Sequence, residues 1–242
     1  LGGDQMAGMF SAMEGDMFKD IGGDMLFDAA AGMGAQDFMM MDHGAAFGMM
    51  DAMGFDAVKD LGGEQMAGMF GAMEGDQLGA MGAERAFDAM MDMGMGTAME
   101  FMGGDQMAGM LGAMEGDMFG AFGGDMLFDA AMNMGAQDMM GMPPEAAFGM
   151  VETMGFDMML ELPGDAMAGM FGAMEGDMFA QMGGDVLFDA AMSMGAQDMM
   201  MMPPDAAFGM FDTMGQGAVM DLPPDAMAGM FGAMEGDMFA QM

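Results

Sequence analysis

Behind Leu1, the chain divides into twelve tandem units of 20 residues, with Met102 as a single extra residue between the fifth and sixth units. No segment is left over for a separate domain. Self-similarity at a period of 20 constrains the fold more than any local motif. It points to a repeat architecture in which each unit packs only on near neighbours.

Three kinds of unit follow one another in a 60-residue super-repeat. Type A occupies 2–21, 62–81, 103–122, 163–182 and 223–242, and its last two copies differ only at Gly164. Type B occupies 22–41, 123–142 and 183–202; type C occupies 42–61, 143–162 and 203–222. Residues 82–101 break the order: Phe87-Asp88 match type B, while Gly94 and Glu100 match type C. That unit reads as a recombination product that kept the 20-residue length, so 20 is the structural period and 60 records duplication.

Each unit carries two helix-start signals. The first is Pro-Pro-Asp, as at Pro223-Pro224-Asp225, or Gly-Gly-Asp, as at Gly183-Gly184-Asp185. Proline suits the first helical turn, where its missing N–H had no partner, and aspartate there faces the positive end of the helix dipole. The second signal is Glu-Gly-Asp at Glu235-Gly236-Asp237 or Ala-Gln-Asp at Ala196-Gln197-Asp198. Met227, Met230, Phe231 and Met234 between them follow i, i+3, i+4, i+7, one face of a helix. Met238, Phe239 and Met242 repeat the pattern over a shorter run. Ala226, Gly229 and Ala233 form a second face of small residues that admits close approach of another helix.

The expected fold is therefore all-α: an α-solenoid of twelve 20-residue repeats, with two short helices per repeat. Such helices are below the ~12–15 residues at which an isolated helix becomes even marginally stable in water, so they depend on mutual packing. Extended disorder competes, since glycine is abundant and charge is high; the 54% apolar content, phased as Met and Phe, opposes it. Leu1 falls where Leu61, Leu162 and Leu222 close their type C units. The reading expects 1–242 to be one continuous array and an internal segment of a longer chain.

Forty acidic residues face three basic ones, for a formal net charge of −37. Nucleic acid and anionic membranes are thereby poor partners. No uncharged apolar run reaches the ~18 residues of a membrane span. Copies of the same array are the expected partners. Cysteine is absent, and methionine numbers 55. Lavish sulfur with scarce side-chain nitrogen suits a protein made in nitrogen-poor, sulfate-rich water, and the acidity suits high salt, which shortens the screening length.

Carboxylates form the candidate site. Stacked repeats would align Asp4, Asp24, Asp105, Asp125, Asp165, Asp185, Asp205 and Asp225 in one row. Glu175 with Asp177 and Glu235 with Asp237, and their type A counterparts, would align in another. Rows of like charge repel, and hard divalent cations take carboxylate oxygens, so Ca²⁺ is the expected cofactor. The competing reading is that each Asp simply caps its own helix and points at water. No EF-hand loop or Ca²⁺-binding nonapeptide is present.

Methionine gives a second metal reading. Thioethers suit Cu⁺, and Met199–Met202 or Met39, Met40 and Met41 beside His43 would supply them. Met is also an unbranched apolar filler, and its helical spacing in every unit fits a core. Enzyme chemistry has little to work with: no Cys, one His, and serine only at Ser11 and Ser193.

The runs Leu222-Pro-Pro-Asp-Ala-Met-Ala-Gly-Met and Leu162-Pro-Gly-Asp-Ala-Met-Ala-Gly-Met resemble the L-T-P-E-Q-x-A-A-L type of short-helix repeat found in large bacterial surface and secreted proteins. The resemblance covers the whole array and implies a spiral of short helices in a cell-surface setting. It transfers no functional residue. Two functions follow as expectations: an extracellular filament, sheath or adhesin-stalk segment stiffened by Ca²⁺, or alternatively a metal-storage protein using Met or carboxylate rows.

Overall fold

The computed structural model describes residues 2–234 and 238 and is all-helical, with no strand among the described residues. The first helix of each sequence unit opens at that unit's second residue, from Gly3, Gly23 and His43 to Pro204 and Pro224. These first helices are of nine to eleven residues where they stand alone, such as Gly3–Ser11, His43–Met53 and Gly164–Ala173. Shorter helices follow, such as Ala35–Met39, Gly75–Gly79 and Gly176–Met182. Gly15–Met17 and Gly116–Ala121 wind more tightly, as 3₁₀ turns.

Two junctions that look interchangeable in sequence differ in backbone. Where a unit opens with proline, Pro143, Pro203 and Pro223 hold φ of −58°, −58° and −53°. Where it opens with glycine, Gly2 and Gly103 stay extended at φ −74° and −82°, whereas Gly22, Gly62, Gly82, Gly123 and Gly183 turn to positive φ, Gly183 at φ 87° and ψ 150°. That is a region only glycine enters readily, because a Cβ there meets the backbone. Gly155 does the same inside a unit, at φ 84° and ψ 148°, separating Pro144–Met154 from Phe156–Met159. The equivalent Gly215 (φ 79°, ψ 153°) breaks Pro204–Met220 into two helical arms.

The chain forms two compact units, Leu1–Met114 and Glu115–Met242. In the first, Ala35–Met39 packs on Gly63–Gly71, Gly75–Gly79 on Gly104–Gly112, and Gly23–Ala31 on His43–Met53. In the second, Gly116–Ala121 packs on Pro144–Met154, Ala136–Met140 on Gly164–Ala173, and Ala196–Met201 on Pro224–Ala233.

Small residues set these contacts. A Cβ on Gly169 would stand 2.6 Å from the Ala136 carbonyl oxygen, and one on Gly229 would stand 2.6 Å from that of Ala196. A Cβ on Gly48 would stand 2.6 Å from the Gly15 Cα, and one on Gly149 would stand 2.6 Å from the Gly116 Cα. The same backbone-on-backbone seating, 33 residues apart along the chain, thus recurs within each compact unit. It places the start of a short helix against the middle of a longer one. Of the small face expected of Ala226, Gly229 and Ala233, Ala226 and Gly229 are buried and Ala233 is half-buried.

The core between these contacts is Phe, Leu and Met. Phe18, Phe38 and Phe70 in the first unit, and Phe119, Phe171 and Phe179 in the second, are fully buried. Phe171 and Phe179 meet edge to face at 5.9 Å, a geometry the ring quadrupoles favour. Among the described residues no polar or charged side chain is buried. None of the described helices is long and apolar enough to cross a membrane.

Candidate functional site

The aspartates of the first expected row take one local position. Asp4, Asp24, Asp105, Asp125, Asp165, Asp185, Asp205 and Asp225 are each the second residue of a helix, and all eight are exposed. None occupies the capping position, which is glycine or proline, although Asp165 accepts from Ala166 N–H in its own first turn at 3.0 Å. Their local effect is to place negative charge at the helix N-terminus, typically worth about 0.3–1 kcal/mol when exposed. Capping falls instead to the next residue type along. Gly2 N–H donates to Gln5 (3.3 Å) and Gly103 N–H to Gln106 (3.0 Å). In the short helices, Gly34 N–H donates to Asp37 (2.9 Å) and Gly195 N–H to Asp198 (3.0 Å). This is the reach-back half of a capping box.

Two row members do more. Asp105 accepts a 2.8 Å hydrogen bond from Gly75 N–H, tying its helix to a turn 30 residues earlier, and Gln106 donates to the Met73 carbonyl at 2.9 Å beside it. Asp24 lines a cleft of about 420 Å³ with Asp28, Asp60, Phe27, Met53 and Ala57. Glu175 and Asp177, in the second expected row, are both exposed at the start of Gly176–Met182. Glu235 and Asp237 lie outside the described residues. Among the described residues, no three Asp, Glu or His side chains converge in a way that could hold a metal ion.

The constellation that sequence reasoning passed over is basic. Lys19 pairs with Asp51 at 2.9 Å, and Lys59 bridges Asp88 and Asp92, both at 3.1 Å. Hydrogen bonding to Asp51 raises the Lys19 pKa above its ordinary 10.5, and hydrogen bonding to Asp88 and Asp92 does the same for Lys59. Lys59 Nζ and the Arg85 guanidinium both approach the Phe55 ring, at 6.0 and 5.9 Å from its centroid. In the same compact unit, the exposed His43 donates from Nδ1 to the Ala72 carbonyl at 2.8 Å, and Asp42 N–H donates to Ser11 at 3.1 Å.

These contacts all lie in the first compact unit, and apart from Lys59 over Phe55 within one helix, each joins segments about 30 residues apart in sequence. The available signal was that Lys19, Lys59 and Arg85 are the chain's only basic side chains besides His43. Lys19 and Lys59 are occupied in pinning acidic helices to their neighbours. The arrangement supplies cross-links between helices.

Compared with known protein families, curated proteins and solved structures, the chain matches none.

Proposed function

We propose that this chain is a structural repeat protein: an α-solenoid of twelve 20-residue repeats, serving as a segment of an extracellular filament, sheath or adhesin stalk. The observation that carries this reading is the recurrent seating of glycine on glycine or alanine, as in Gly48 on Gly15 and Gly169 on Ala136. A contact that recurs every few helices builds length without a special site. Each helix is too short to persist alone, so the array owes its order to neighbours, and further copies of the array are its partners. No residue set in this reading performs catalysis.

Ca²⁺ enters as a counter-ion to the acidic surface. Support comes from the net charge of −37 and from the exposure of the aspartate row. The exterior setting is supported by the resemblance to surface-protein repeats. Electron microscopy of the purified protein tests the reading. Long uniform filaments are expected, and dispersed single particles at all concentrations contradict it. Metal analysis of the same material guards the alternative: several copper atoms per chain would replace a structural role by storage.

A further inference from the structure

Methionine falls into two populations here, and only one of them belongs to the core. Twelve methionines among the described residues are exposed, including Met25, Met126, Met132, Met192, Met200 and Met201. The only other large apolar side chain as exposed among those residues is Phe47, although the chain has 21 Phe. Surface apolar positions are therefore filled selectively by thioethers.

Packing does not explain the choice. Met132 and Met192 occupy the unit position that holds Ala31 in the first type B copy, and Met40 and Met201 occupy the one that holds Gly141 in the second. A site that accepts alanine or glycine in a sister copy has no core to fill. The run Met199–Met202 shows the division within four residues: relative exposures are 1%, 59%, 44% and 3%.

The chemistry of the whole chain isolates this sulfur. There is no Cys, Trp or Tyr, so methionine is the one abundant side chain that two-electron oxidants attack readily. An exposed sulfoxide stays in water and disturbs nothing. A buried one places a polar oxygen in a core whose described residues include no buried polar side chain. The net charge of −37 repels anionic oxidants and admits neutral ones.

We infer that the exposed methionines are oxidant-consuming sites whose substrates are neutral hydroperoxides. The sulfur lone pair attacks the distal peroxide oxygen. The S–O bond forms as the O–O bond breaks, and the proton of the transferred oxygen passes to the leaving alkoxide or hydroxide. One sulfoxide and one alcohol or water result, with sulfur oxidised by two electrons and the peroxide reduced by two. The buried methionines keep the fold intact while this surface reservoir is consumed.

Hydrogen peroxide titration of the 242-residue protein, read by mass spectrometry after digestion at Asp and Glu, tests this. Met200 and Met201 are expected to oxidise at least ten-fold faster than Met199 and Met202. The helical circular dichroism is expected to hold until the exposed set is spent. A quadruple variant, M132L, M192L, M200L and M201L, is expected to keep the same spectrum and to take up four fewer oxygen atoms in the fast phase. Equal rates at Met199 and Met200, helix loss with the first few oxygens, or an unchanged fast phase in the variant would each overturn the inference.

Discussion

Gly8 and Gly169 occupy the same place in two type A units, each within Met-Ala-Gly-Met-Phe, yet their surroundings are opposite. Gly8 has nothing within 4 Å of where a Cβ would sit, whereas Gly169 would place that carbon 2.6 Å from Ala136 O and 2.7 Å from Ala136 Cα. Both lie inside a helix. Replacing a helix-interior glycine by alanine gains roughly 1 kcal/mol from propensity. At Gly8 that gain stands alone, so Gly8→Ala is expected to stabilise by about 0.5–1 kcal/mol. At Gly169 it is opposed by overpacking of roughly 1–3 kcal/mol. The atoms to be displaced belong to backbone and not to a flexible side chain, so the upper part of that range applies. Gly169→Ala is expected to destabilise by about 1–2 kcal/mol net. Urea unfolding followed by circular dichroism reads both. With a slope near 3 kcal/mol/M, the Gly169 variant's midpoint should fall by about 0.5 M. A rise in midpoint for Gly169→Ala comparable with that of Gly8→Ala would refute the claim that the 33-residue seating holds the helices together.

Phe179→Ala removes a fully buried ring that meets Phe171 and should cost about 3–5 kcal/mol in the same assay. Gly183→Ala puts a Cβ on a residue with φ 87° and open space around it; the backbone penalty alone should cost about 1–2 kcal/mol, and no loss would show that the junction is not strained against L-residues. The Lys59 pairing with Asp88 and Asp92 raises a lysine pKa, so its contribution is complete below the ordinary 10.5 and is lost as pH rises through the folded value. A pH titration of stability should therefore show an excess loss above pH 10.5 in the wild type that Lys59→Met lacks. If Ca²⁺ is a counter-ion, EDTA in low salt should lower the melting temperature and added NaCl should restore it; an unchanged melt removes calcium from the structural reading.

Much of the local structure is legible in the residues. Pro-Pro-Asp and Gly-Gly-Asp mark the helix starts because their signals are local: a fixed φ or a permissive one, then charge at the dipole. The small face at Ala226 and Gly229 is visible because helical periodicity sorts residues by size. Less visible is that Gly183 and Pro203 build different junctions, since glycine's tolerance of many conformations hides which one the chain uses. The expected capping role of Asp185 goes instead to the residue after that position in some helices, such as Gln106, because glycine or proline occupies the cap itself. The Lys19–Asp51 and Lys59–Asp92 pairs are illegible from spacing alone. They depend on which helix lies beside which, 32 or 33 residues away in sequence. For the same reason, counting carboxylates does not reveal that no three of the described ones come together as a metal-holding group.

Excision in and out of register tests most directly whether the repeat is the structural quantum. Removing 143–202 deletes one 60-residue super-repeat and joins Met142 to Pro203, which stands where Pro143 stood. Helix content per residue, read by circular dichroism, is expected to match the full chain, with a single cooperative melt. Removing 143–192 shortens the chain less but shifts the register by half a unit, so Gly209 loses its seat on Gly176. That variant is expected to lose helix and cooperativity. Equal behaviour of the two would contradict an array held together by neighbour-on-neighbour seating.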